Sequence, residues 1–132
     1  MKQTIFFIFT LLTIILNPSI TLAGQEKQED RLAYSVKLFH LADYSKAIDE
    51  LKIIYSETEG SNTSLEASYL IGMAYKAIGN QDDAAGWLQR SSKHDPLADY
   101  ALFYLGETYL AAGSYQAAFD TFSTIKSKFP ES

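Results

Sequence analysis

The chain has 132 residues, 47% of them apolar and 20% charged, which is the composition of one ordinary globular domain and leaves no room for a second of full size. It contains no cysteine, which excludes a disulfide scaffold, a cysteine-ligated zinc or iron–sulfur site, a thiol nucleophile and a lipid-modified lipoprotein cysteine. Eleven Lys and Arg stand against sixteen Asp and Glu, a net charge of −5, so no broad cationic surface is on offer for nucleic acid or anionic lipid.

The chain opens with one cation, Lys2, followed by an apolar run from Ile5 to Leu16 that is relieved only by Thr10 and Thr13. Spanning a bilayer takes about 20 apolar residues. This run instead stops at Asn17-Pro18 and leads into Thr21-Leu22-Ala23, a small-x-Ala step of the kind signal peptidase cleaves. The pattern predicts a leader over 1–23, removed after Ala23, and no membrane span in what remains. An uncleaved anchor would have to carry Asn17, Pro18 and Ser19 within its span. Residues 24–30 are polar and are expected to be a short, frayed lead-in.

Beyond the leader the chain repeats itself. A shift of 34 places Gly72 on Gly106, Tyr75 on Tyr109, Gly79 on Gly113, Ala84 on Ala118, Leu88 on Phe122 and Pro96 on Pro130. Coincidence at glycine, alanine, proline and large apolar positions, with no strand-like alternation to compete, predicts stacked helical hairpins. Gly72 and Gly106 would let the second helix of each hairpin approach the first closely, with Ala84 and Ala118 as the matching small residues. Gly79 and Gly113 would end the first helices in the left-handed conformation, and Pro96 and Pro130 would end the second. Asp82 and Asp83 suit the positive end of a helix dipole. Upstream, the segment from Ala42 to Leu51 lines up with Gly113 to Phe122, two periods plus three residues away. In this copy Ser35 replaces the glycine and Leu38 the tyrosine. The units are therefore expected at 28–61, 65–98 and 99–132, with an insertion at 62–64.

Over nearly all of this length the chain resembles the tetratricopeptide repeat family, which implies an all-α, right-handed superhelix of about three helix pairs. The run from Asp99 to Tyr109, together with Phe129-Pro130-Glu131-Ser132, is similar to repeats of bacterial envelope proteins. Those are the C-terminal domain of the Tol-Pal system coordinator, the repeat lipoproteins of outer-membrane protein assembly, and the superhelical region of soluble lytic transglycosylases. A lipoprotein would need a cysteine after its leader, the coordinator a coiled-coil segment where only 24–30 lies, and a transglycosylase its lysozyme-like catalytic domain. The resemblance thus implies an exported, periplasmic, non-catalytic adaptor for envelope proteins. The alternative is the superhelical segment of a lytic transglycosylase without its catalytic domain.

In this family the first helices line a concave groove. Carried over position by position, that surface comprises Glu29, Leu32, Val36, Phe39 and His40, then Glu66, Tyr69, Met73, Lys76 and Ala77, then Tyr100, Phe103, Glu107, Leu110 and Ala111. Of these, Phe39, Tyr69, Met73, Tyr100 and Phe103 would offer aromatic or adaptable surface to a peptide or partner helix, with Lys76 and Glu107 orienting it by charge. The same side chains could instead pack between neighbouring first helices as core. The family's clamp for chaperone C-termini is absent, since Leu32, Val36, Leu70, Tyr100 and Tyr104 stand where its polar residues would be.

An outer edge of Tyr115, Phe119, Phe122 and Phe129 is expected to need cover, from a partner, a second copy of the chain, or further repeats lost by truncation or a premature stop. No cofactor or catalytic residue is expected. The two histidines, His40 and His94, fall in different repeats without ligands at metal spacing, and helix-end solvation accounts for Asp82-Asp83 and for Glu57 with Glu59. Trp87 is read as a packing or edge contact.

Overall fold

A computed structural model of the protein describes residues 18–93 and 96–132. Among these residues there are six helices and no strand: α1 Pro18–His40, α2 Tyr44–Glu57, α3 Asn62–Ala77, α4 Gln81–Ser91, α5 Ala98–Ala111 and α6 Tyr115–Lys128. The chain divides into two compact units, Met1–Arg31 and Leu32–Ser132. The first contributes to the described residues only the N-terminal part of α1. The second is an all-α repeat, in which α3 packs on α2 and α4, α4 packs on α5, α5 packs on α6, and α3 touches α5.

Most of the expected leader lies outside the described residues, and so does His94. Residues 24–30, expected to fray, lie within α1. The reason is local: Gln25-Glu26-Lys27-Gln28-Glu29 is a run of unbranched residues with good helix propensity, and no glycine or proline interrupts it before His40. Residues 62–64, expected as an insertion, form the first turn of α3. There Ser61 caps the helix, its hydroxyl oxygen accepting the Ser64 N–H at 3.2 Å. The extra residues lengthen the helices: α3 has 16 residues against 14 in α5, and the turn before it is only 58–61, where Gly60 adopts a φ of +81°.

The hairpins close as the repeat requires. A Cβ added at Gly72 would stand 2.7 Å from Leu88 Cγ, and one added at Gly106 would stand 2.6 Å from Phe122 Cε1 and Cζ. The same 34-residue shift that links the glycines links the side chains lying over them. In the first pair the small residue is Ser35, fully buried, and Leu51 takes the place of Leu88.

The first helices end in a shared Schellman turn. Asp43 N–H donates to Leu38 O at 3.0 Å, Asn80 N–H to Tyr75 O at 3.0 Å and Ser114 N–H to Tyr109 O at 2.8 Å. The left-handed residue of each turn is Ala42 (φ 60°), Gly79 (82°) and Gly113 (75°). Two of the three are glycine, as expected. Ala42 must hold the same conformation against its own Cβ.

The core runs through the pairs and across the boundaries between them. One cluster joins Leu38 of α1, Ala47, Ile48, Leu51 and Ile54 of α2, and Ala67, Ile71 and Ala74 of α3. A second joins Leu88 of α4 to Leu102 and Leu105 of α5, with Tyr69, Met73, Tyr104, Tyr109, Ile125 and Phe129 packed around it. Each interface thus buries what one pair alone would leave wet, which is how a repeat array gains stability.

Trp87 packs as expected. It meets Tyr55 edge-on at 5.0 Å, so α2 and α4 touch through aromatic rings, and the Arg90 guanidinium lies 4.7 Å above the indole. Between the first and second pairs, Lys52 of α2 donates to the Tyr75 hydroxyl of α3 at 2.8 Å.

Candidate interaction surface

The groove residues expected from the sequence divide into two groups. Phe39 meets Tyr44 edge-on at 5.2 Å and packs against the first core cluster. Tyr69 and Met73 pack against the second. Tyr69 also faces Tyr104 across the pair boundary at 6.2 Å. Burial, reinforced by the neighbouring Tyr104 and Tyr100, raises the Tyr69 phenol above its ordinary value. These three side chains are therefore largely structural, and their hydrophobic surface goes to stacking one pair on the next.

Lys76 and Glu107 are not free to orient a partner. The Lys76 ammonium lies 3.0 Å from Glu107 Oε2, bridging α3 to α5, and 5.5 Å from the centre of the Tyr104 ring. Each charge is answered by the other, and the pair ties two neighbouring first helices on the groove side.

Tyr100 and Phe103 remain uncovered, at 59% and 46% exposed, and Leu110 is exposed farther along α5. Phe103 stands edge-on to Tyr104 at 5.3 Å and 79°. With Asp99, Tyr104, Ile125 and Ser132, these two rings line an open hollow of about 400 Å³. Asp99 is fixed there: its Oδ2 accepts the Ser132 hydroxyl at 2.7 Å and its Oδ1 accepts the Tyr100 N–H at 2.8 Å. The Ser132 hydrogen bond is the main cause that holds this carboxyl below its usual range. Neither Tyr104 nor Asp99 was among the groove residues chosen from the sequence. Both face this hollow because the start of α5 and the segment after α6 converge, and that proximity has no sequence signal.

The outer edge also resolves differently from expectation. Tyr115 and Phe119 are 72% and 66% exposed, but Phe122 and Phe129 are partly buried. Phe122 lies over Gly106 and edge-on to Phe103 at 6.2 Å, while Phe129 packs against the second core cluster. Both belong to the packing of the α5–α6 pair. What is left outside corresponds, residue for residue, to a covered face. Phe103, Tyr115 and Phe119 are the 34-residue equivalents of Tyr69, Gln81 and Ala85, all three partly buried. Tyr69 and Ala85 pack into the cluster that includes Leu102 and Leu105 of α5. The outer face of α5–α6 thus repeats the apolar face that α5 covers on the preceding pair.

His40 is exposed at the end of α1, its ring edge-on to Phe39 at 6.3 Å, and among the described residues no group of three or more His, Asp or Glu could hold a metal ion. Glu29 belongs to the other compact unit. No helix among the described residues is long and apolar enough to cross a membrane.

Residues 100–132 match the tetratricopeptide repeat family, and the matched stretch covers α5 from its third residue, all of α6, and the Phe129-Pro130-Glu131-Ser132 segment. The hairpin with its Gly106–Phe122 contact and its Gly113 turn therefore coincides with a family repeat. No curated protein matches the chain.

Proposed function

We propose that the protein is an exported, non-catalytic adaptor of the bacterial cell envelope whose groove side holds an apolar or aromatic segment of another protein. A helical repeat of this kind serves as a protein-interaction module. The observation that carries the reading is the uncovered strip of Tyr100, Phe103 and Leu110 on α5. On α3 the equivalents of Phe103 and Leu110 are Tyr69, which packs, and Lys76, which is ion-paired, while Glu66 at the register of Tyr100 is exposed and charged, so α5 carries the apolar part of the groove surface left for a partner.

The apolar run Ile5–Leu16 followed by Thr21-Leu22-Ala23 supports export to the periplasm. Sequencing the N-terminus of the protein recovered from a periplasmic fraction tests it directly: a chain starting at Gly24 is the expected result, and retention in the cytoplasm defeats it. For the groove, a photo-crosslinking residue placed at Phe103 should trap a discrete envelope protein in cells, whereas the same probe at Gln89 on α4 should not. Crosslinks of equal yield and identity from both positions would sink the groove reading.

The exposed Tyr115 and Phe119 favour a second use, association of two copies through the outer face of α5–α6. Light scattering should show mass rising with concentration, and Phe119→Glu should abolish that rise. A monomer across the whole range rules it out.

A further inference from the structure

We infer that the hollow at the start of α5 receives a basic side chain, lysine or arginine, from an extended peptide bound along the groove side. This rests on the groove reading above and names the chemistry of its anchor.

The rings of Phe103 and Tyr104 meet edge-to-face at 5.3 Å and 79°. Two aromatic faces set nearly at right angles suit a cation that can touch both, because each ring is electron-rich above its plane. The Tyr104 ring already takes an ammonium in this way, since Lys76 lies 5.5 Å from its centre. Asp99 adds a negative charge at the wall. Its two hydrogen bonds, from Ser132 and Tyr100, occupy one position on each oxygen and leave acceptor capacity on both. Ile125 supplies an apolar wall against which the methylene stem of a long basic side chain can lie.

The surrounding charge is mixed, with Asp99 the charge in the hollow itself: Lys76 is neutralised by Glu107, Glu66 is exposed on α3 at the register of Tyr100, Lys126 and Lys128 stand in the last turn of α6, and the whole chain carries a net charge of −5. An anionic partner would meet Asp99 unfavourably, and a purely apolar one would leave that carboxylate desolvated without compensation. A volume of about 400 Å³ is ample for one guanidinium with its stem.

The test is an NMR titration of the isotope-labelled protein, as its host processes it, with acetyl-Ala-Ala-Xaa-Ala-Ala-amide peptides in which Xaa is arginine, norleucine or glutamate, and with choline as a fourth probe. The arginine peptide should shift the amides of Tyr100, Phe103 and Ser132 and bind about five- to tenfold more tightly than the norleucine peptide, with glutamate weakest. Asp99→Asn, which keeps an acceptor for Ser132, should remove about three- to fivefold of the arginine affinity and leave norleucine unchanged. Phe103→Leu should lower the arginine preference while retaining an apolar wall.

Equal binding of arginine and norleucine at the same amides overturns the cation and leaves the groove standing. Shifts at these amides from none of the peptides overturn both. An arginine preference that survives Asp99→Asn and Phe103→Leu places the cation elsewhere and also overturns it. Choline displacing the arginine peptide at equal concentration would assign the hollow to a free quaternary ammonium instead of a protein side chain.

Discussion

Ala42 is the one non-glycine residue of positive φ among the described residues, and it stands where the other two repeats have glycine. Its turn makes the same two hydrogen bonds as theirs, Ala42 N–H to Phe39 O and Asp43 N–H to Leu38 O, both 3.0 Å, so the geometry is held despite the side chain. A left-handed conformation costs a residue with a Cβ about 1–2 kcal/mol. Glycine removes that cost but gives back about 0.5–1 kcal/mol through the greater freedom of the unfolded chain. Ala42→Gly should therefore stabilise the fold by roughly 0.5–1 kcal/mol, and Gly79→Ala or Gly113→Ala should destabilise it by about as much. Urea unfolding followed by far-UV circular dichroism measures both. With a slope of about 1–3 kcal/mol per molar, the midpoint for Ala42→Gly should rise by a few tenths of a molar. If Gly79→Ala lowers the midpoint but Ala42→Gly leaves it in place or lowers it, the strain assigned to Ala42 is wrong.

Three other outcomes follow from the packing. Gly72→Ala should cost about 2–3 kcal/mol, because its Cβ would meet both Leu88 Cγ at 2.7 Å and the Leu88 backbone nitrogen at 3.1 Å, and Leu88 is fully buried. Gly106→Ala should cost less, about 1 kcal/mol: its nearest neighbours are side-chain atoms of the partly exposed Phe122 ring, with no backbone among them, and alanine improves helix propensity. Equal losses in thermal melts would contradict that difference. Burial raises the Tyr69 phenol, so the unfolded chain loses that proton first as pH climbs past about 10 and stability falls above that pH; Tyr69→Phe should flatten the fall in a pH series of melts. A double-mutant cycle on Lys76→Met and Glu107→Gln should give a coupling below about 1 kcal/mol that shrinks as salt is added, since both side chains remain partly exposed.

The period was legible because two kinds of position tolerate few residues. The close approach under Leu88 and Phe122 and the left-handed turn both select glycine, and glycine leaves an unmistakable mark in a sequence. The first repeat was harder to read for the same reason in reverse, as Ser35 and Ala42 occupy those positions without announcing them. Groove residues were a weaker case. Tyr69 and Phe103 are equivalent by 34 residues and alike in chemistry, yet one packs under Tyr104 and the other faces outward. What separates them is that Tyr69 meets α5 while Phe103 meets no later helix among the described residues beyond its own partner α6. The Lys76–Glu107 pair could not be read either, because it joins first helices of successive repeats and depends on how the pairs are rotated against one another. Asp99 and Ser132 meet over 33 positions of chain, a distance that no local pattern encodes.

The Lys76–Glu107 contact has a mechanical side. A stack of hairpins behaves as a spring, and most of its joints are apolar surfaces that can slide slightly without losing area. An ion pair on the groove side of the α3–α5 joint acts as a clasp that resists opening of the coil at that point. Because both side chains remain partly exposed, added salt weakens this clasp while the apolar joints keep the fold intact. The joint is thus held in two ways, by a clasp that the surrounding electrolyte can loosen and by apolar surface that it leaves in place.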